Sequence, residues 1–204
     1  MGFSGMLVFC RNQRPLAEVS VFGGLPQEVR DRMAERGEWW LRPGGWRTGQ
    51  VGGDWRDETM LRDLAARSGA PACVGFVYDS DVVYVRGLSP SGREWSATLN
   101  LEVAAELRVD PPGDVDDPLE WSASAECAQA TARKIAEFDA EVPDAAREAL
   151  AWAAEAGCGA GVELTAVETM LRSKPEVFAE ELFSDMIDVL GFPAAEEPPS
   201  VPAS

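Results

Sequence analysis

The 204-residue chain has a hydrophobic share of 46% and a charged share of 26%, enough apolar material at sufficient length to bury a core, which excludes wholesale disorder. Its formal net charge of -17 is unevenly placed: residues 1–100 carry 12 basic and 12 acidic side chains, residues 101–204 carry 6 and 23. An acidic half of this kind repels nucleic acid and anionic membrane surfaces, so neither is an expected partner, and a basic protein is.

Residues 6–10 are expected to form a short strand and residues 17–22 a second, ending at Gly23-Gly24 and pairing with the first around residues 11–15. Pro26 opens a helix to about residue 36, with Val29 and Met33 one turn apart and Gly37 past its end. Residues 38–55 hold four tryptophans, five glycines and a proline. This composition reads as an ordered loop with short strand fragments, pinned down by its rings. Asp57 is expected to cap the next helix, with Met60, Leu61 and Leu64 inward, Arg67 in the last turn and Gly69 as the stop.

Residues 72–100 carry the strongest strand signal. β-Branched and aromatic residues dominate 72–78 and 82–86 around the polar break Asp79-Ser80-Asp81, and a second break at 87–92 leads into 94–100. Three consecutive antiparallel strands follow from that pattern. Asn100 is placed to cap a helix carrying Leu101, Val103, Ala104 and Leu107. Residues 110–117 contain two prolines, a glycine and four aspartates. They read as a linker between a sheet domain (1–109) and a helical domain (118–191) packed on or beside it.

Beyond the linker every signal is helical. Asp117 caps and Pro118 starts a helix to about residue 142, with Trp121, Ala128, Ile135 and Phe138 on one face. Pro143 and Asp144 restart a helix through Leu150 and Trp152 to Gly157, and Thr165 is expected to cap a third containing Val167, Met170 and Leu171. Pro175 opens a fourth, in which Phe178, Leu182, Phe183, Met186, Ile187, Val189 and Leu190 recur at three and four. Residues 192–204, rich in Pro, Ala and Glu, read as a disordered tail. The fold class is therefore α+β: an N-terminal antiparallel sheet with short helices, then an acidic C-terminal helical bundle.

The first residues lack a basic region and their apolar run stops at Cys10, too short for a signal peptide. No apolar stretch reaches the roughly 20 residues that span a bilayer. Cys10, Cys73, Cys127 and Cys158 form no CxxC pair and are expected as free thiols in a reducing compartment. These features point to a bacterial cytoplasmic protein, and the 16 arginines against 2 lysines fit a GC-rich genome.

The chain has no histidine, which removes the usual base at neutral pH, the Ser-His and Cys-His pairs, and zinc sites of the Cys/His type. Neither lysine follows a serine by three, no Gly-x-Ser-x-Gly occurs, and the glycines at 44, 45, 49, 52 and 53 satisfy neither the Walker nor the dinucleotide pattern. No cofactor is expected. Asp79 and Asp81, flanking one residue after an apolar strand, could hold a divalent cation and a nucleotide sugar. A hairpin turn is the plainer reading of the same residues. The linker aspartates lack the central glycine of an EF-hand loop.

The binding signal lies in Trp39, Trp40, Arg42, Trp46 and Arg47, which combine flat apolar area with forked cations. The competing reading makes the rings core anchors and pairs the arginines with acids of the second half. Two functions of different class follow. One is a noncatalytic interaction module, such as an acidic adaptor or a toxin-neutralising protein bound to a basic partner. The other is a metal-assisted, carboxylate-dependent enzyme acting on a nucleotide sugar or related substrate through Asp79 and Asp81.

Overall fold

The computed structural model describes residues 2–12, 39–52, 58–112 and 118–196. The strand expected at 17–22, the helix at 26–36, and the caps Asp57 and Asp117 lie outside the described residues. The protein is α+β: a six-stranded antiparallel sheet of order β2-β3-β1-β4-β5-β6 with helices on both faces. Its strands are β1 (Gly5–Arg11), β2 (Trp39–Arg42), β3 (Trp46–Gly52), β4 (Ala72–Tyr78), β5 (Val82–Leu88) and β6 (Glu94–Leu99). The three strands β4 to β6 follow the order expected from residues 72–100.

Side chains alternate across each strand, and both faces of the central strands are apolar. Helix α1 (Glu58–Ser68) covers one face, where Met60, Leu61, Leu64 and Ala65 meet Met6, Val8, Cys10 and Val74. Arg67 stands in its last turn and Gly69 follows with φ +60°. The opposite face carries Leu7, Phe9, Trp46, Val77, Val85 and Trp95. Against it pack α2 (Leu101–Glu106), α4 (Ala125–Glu155), α5 (Leu164–Leu171) and α6 (Ala179–Val189), with the short α3 (Pro118–Ser122) leading into α4. One cluster of buried residues runs from Leu7 to Phe192 through this layer, so the segments on either side of residues 113–117 share a core.

Several local expectations are corrected by tertiary packing. Residues 39–52, expected as short strand fragments inside an ordered loop, form a regular hairpin with a four-residue and a seven-residue strand. Along residues 5–9, β1 is paired on both sides, by β3 and β4. Pro143 does not restart a helix; it lies inside the 31-residue α4. A proline there costs about 3 kcal/mol, but Val142, Ala146, Ala149, Trp152 and Ala153 are buried on either side of it, and that burial outweighs the missing hydrogen bond. The break falls earlier, at Ser124, whose hydroxyl caps α4 by accepting from the Cys127 amide at 3.0 Å.

Asn100 precedes α2 but makes no side-chain cap; its amide donates to the Asp81 carbonyl at 2.6 Å. Glu163, not Thr165, stands at the start of α5. Helix α6 begins at Ala179, four residues after Pro175, and Phe178 before it is 51% exposed. Phe192 is buried among Phe9, Trp46 and Trp152, and the Glu196 amide donates to the Leu41 carbonyl at 2.7 Å. Residues 192–196 therefore belong to the fold and not to a disordered tail.

Two glycines let large rings lie flat on the sheet. A Cβ on Gly75 would stand 2.7 Å from Val83 and 2.9 Å from the Phe183 ring, and one on Gly87 would stand 1.9 Å from the Trp95 indole. Gly87→Ala is expected to push Trp95 out of the core and lower stability by about 1–3 kcal/mol. A urea titration read by tryptophan fluorescence checks this; an unchanged midpoint would show that the sheet accommodates the methyl.

Candidate interaction surface

The tryptophan and arginine hairpin is mostly turned inward. Trp46 stacks on Phe9, with centroids 5.0 Å apart and planes 2° from parallel, and meets Phe192 edge-on at 4.8 Å. Arg42 is buried at the edge of the same cluster, with its guanidinium 6.0 Å from the Phe9 centroid. That guanidinium forms an ion pair with Asp188 and donates to the Pro193 carbonyl at 2.8 Å and to Ser184 Oγ at 3.1 Å. Arg47 is half-buried and its Nε donates to the Asn12 carbonyl at 2.7 Å. Trp39 opens β2 opposite Gly49, and Trp40 is half-buried. In this conformation Arg42 and Trp46 present nothing to a partner: the first clasps α6 and the second fills the core.

Arg93 makes the second cross-layer clasp. It reaches Glu148 at 2.8 Å and Glu155 at 3.2 Å on α4. Burial pulls the Glu155 carboxyl up, but hydrogen bonds from Ser89, Ser91 and Arg93 outweigh it and hold the group below its ordinary range. Lys174 pairs with Glu102 at 2.8 Å.

The Asp79-Ser80-Asp81 turn is a structural hub. Asp79 and Ser80 adopt left-handed backbone, φ +50° and +61°, and the Asp81 amide closes the turn on the Tyr78 carbonyl at 3.0 Å. Two non-glycine residues with positive φ are costly unless the surroundings enforce them, and here they do. Asp79 Oδ1 accepts from the Gly2 amide at 2.9 Å, and Ser80 exchanges backbone and side-chain hydrogen bonds with Phe3 at 2.8 and 2.7 Å. Ser80 Oγ donates to Glu180 at 2.8 Å, and its carbonyl accepts from the Ala179 amide at 2.8 Å. The turn thus seats the N-terminal segment and the start of α6 together. Among the described residues no three acidic or thiol side chains come together as a metal site.

Cys10 and Cys73 are buried free thiols. Burial pushes Cys10 up to about 12 despite Arg47 nearby, and raises Cys73 as well. Neither is a thiolate at neutral pH, so neither is an activated nucleophile.

Three of the exposed large apolar side chains lie beside the hub; Leu41, Leu107 and Leu119 lie elsewhere. Val177 is 67% and Phe178 51% exposed immediately before α6, and Tyr78 is 57% exposed at the end of β4. The outer side of α6 carries Glu181, Asp185 and Asp188, with Glu176 just ahead. Partial burial, then the carboxylates of Asp188, Glu181 and Glu176, raise the Asp185 carboxyl above its ordinary range. Asp188 has Arg42; Glu176, Glu181 and Asp185 form no ion pair among the described residues. Sequence reasoning placed Phe178 on the apolar stripe of the helix. It instead stands one residue ahead of α6 in extended backbone, next to Ala179, whose amide donates to the Ser80 carbonyl, and is exposed.

Comparison with protein-family models, with curated proteins and with solved structures finds no match to this chain.

Two outcomes follow from these charges. Asp185 has a raised folded-state pKa, so its ionisation opposes folding above the usual aspartate range and the penalty disappears once pH falls below it. Asp185→Asn is therefore expected to raise Tm at pH 7 and to leave it unchanged near pH 3; equal Tm at both would contradict the repulsion. The Arg42 side chain is fully buried whereas that of Asp188 is 47% exposed. Removing the acid strands a buried charge, so Asp188→Ala is expected to cost up to about 3 kcal/mol, and more than Arg42→Met. Paired urea titrations measure the order, and the reverse order would contradict it.

Proposed function

We propose that the protein is a noncatalytic interaction module that holds a basic protein partner against the outer side of α6, with Val177 and Phe178 as its apolar anchors. An acidic adaptor or a toxin-neutralising protein is the role such a surface would serve. The observation that carries this reading is the crowding of Glu176, Glu181, Asp185 and Asp188, which adds to partial burial in raising the Asp185 carboxyl, beside an exposed aromatic ring. Asp188 is held by Arg42, but Glu176, Glu181 and Asp185 form no ion pair among the described residues; like charges so gathered cost folding energy, and a cationic partner would relieve that cost. A central ring in a charged rim is also the usual arrangement of an interaction hot spot.

The structural use of Asp79 and Ser80 favours this reading over a metal-assisted enzyme, since one Asp79 oxygen already accepts from Gly2. The buried free thiols suit a reducing compartment such as the cytoplasm. No helix among the described residues is long and apolar enough to cross a membrane.

Capture from a lysate of the source cells by the immobilised full-length protein tests the proposal. A protein of basic isoelectric point is expected to bind at about 50 mM salt and to weaken at about 300 mM, as screening requires. It should be lost with Glu181→Lys/Asp185→Lys, weakened by Phe178→Ala and unaffected by Trp40→Ala. Absence of any partner at both salt levels, or equal capture by the charge-reversed variant, would overturn the reading.

A further inference from the structure

The face of the sheet away from the acidic helices carries a second feature, a groove of about 780 Å³ beside α1. Strand register builds its floor in two rows: Phe76 and Tyr84 stand side by side on β4 and β5, and Val74, Arg86 and Ser96 stand in the next row on β4, β5 and β6. Residues directly opposed in this way lie about 5 Å apart. Arg62 of α1 and Arg108, which follows α2, also line the groove, and the Arg108 guanidinium sits 5.5 Å from the Tyr84 ring centroid.

In a chain with an excess of 17 acids, the described residues that line this groove include Arg62, Arg86 and Arg108 against a single carboxylate, Glu94. None of the three guanidiniums forms an ion pair or a side-chain hydrogen bond among the described residues. The sheet stands between them and the acids of α6, which pack on its other face. Among the described residues the lining is therefore cationic, by three guanidiniums to one carboxylate, in spite of the net charge.

We propose that this groove binds a nucleoside phosphate. Its volume is that of a small-molecule site, within the roughly 300–1,000 Å³ such pockets occupy. Three forked cations match the two or three charges of a phosphate or diphosphate, whereas a single carboxylate would leave two of them unmatched. The half-buried rings of Phe76 and Tyr84 supply flat apolar area for a base, and Ser96 a hydroxyl for its edge or its sugar. The site uses none of the residues of the α6 surface, so either assignment can fail without the other.

Isothermal titration of the full-length protein with ADP, GDP, CDP and UDP tests the assignment, with pyrophosphate, adenosine and an oligo-glutamate peptide as separate arms. At least one nucleotide is expected to bind saturably below 1 mM, in the order of magnitude of small-ligand affinities, and more tightly than either pyrophosphate or adenosine alone. Arg86→Gln and Arg108→Gln should each weaken it about tenfold while leaving the urea midpoint near that of the parent. No saturable nucleotide binding, pyrophosphate binding as tightly as any nucleotide, or affinity unchanged in both variants would overturn the proposal. Saturable binding of oligo-glutamate alone would overturn it too, by assigning the groove to acidic polypeptide.

Discussion

Phe192 is the point on which the two ends of the chain close. Its ring lies 4.8 Å from both Phe9 and Trp46 and 5.3 Å from Trp152, so residues 9, 46, 152 and 192 meet in one aromatic cluster. Trp95 extends it, with its centroid 5.5 Å from that of Trp152. Rings of this size bury about 150–250 Å² each, and they come from β1, β3, β6, α4 and the segment after α6. Lifting the helical layer from the sheet would bring all of them into water. The glycines at 75 and 87 belong to the same constraint, since Phe183 and Trp95 lie where their side chains would be.

The distribution of charge follows from that packing. Once the apolar sides of α4, α5 and α6 face the sheet, their acids have nowhere to go but outward. Arg42 and Arg93 draw some of them back across the layer boundary. The carboxylates ahead of and along α6 are left crowded, while Arg62, Arg86 and Arg108 beyond the sheet form no ion pair among the described residues. Among the described residues an acidic cluster and an arginine-lined groove thus lie on opposite faces of the sheet, and each proposed binding role rests on one of them.

Much of the fold was legible because local and tertiary preferences agree there. The alternation from Ala72 to Leu99, the polar break at 79–81 and the inward set Met60, Leu61 and Leu64 need no long-range contact to be recognised. The hairpin at 39–52 was hidden because Gly44, Gly45, Gly49 and Gly52 argue for turns, and only pairing with β1 makes Trp46–Gly52 a strand. Pro143 misled for the opposite reason: its local penalty is real but smaller than the burial on either side of it. Phe192 could not be placed from sequence, since nothing in a Pro- and Ala-rich segment announces a cavity lined by residues 9, 46 and 152. The binding surfaces were less legible than the fold. The composition of residues 39–47 suits a hot spot and a core anchor equally, and burial, which decides between them, is not local information. The arginines at 62, 86 and 108 are too far apart in sequence to suggest a common groove before the register of β4, β5 and β6 is known.

The account depends on the acidic helices and the sheet being one cooperative body. Urea unfolding followed on the same samples by tryptophan fluorescence, which reads the aromatic cluster, and by far-ultraviolet circular dichroism, which reads the helices, tests this most directly. Superimposable single transitions are the expected result. A helix signal that persists after the fluorescence transition is complete would contradict it, by showing that the helical layer stands without the sheet.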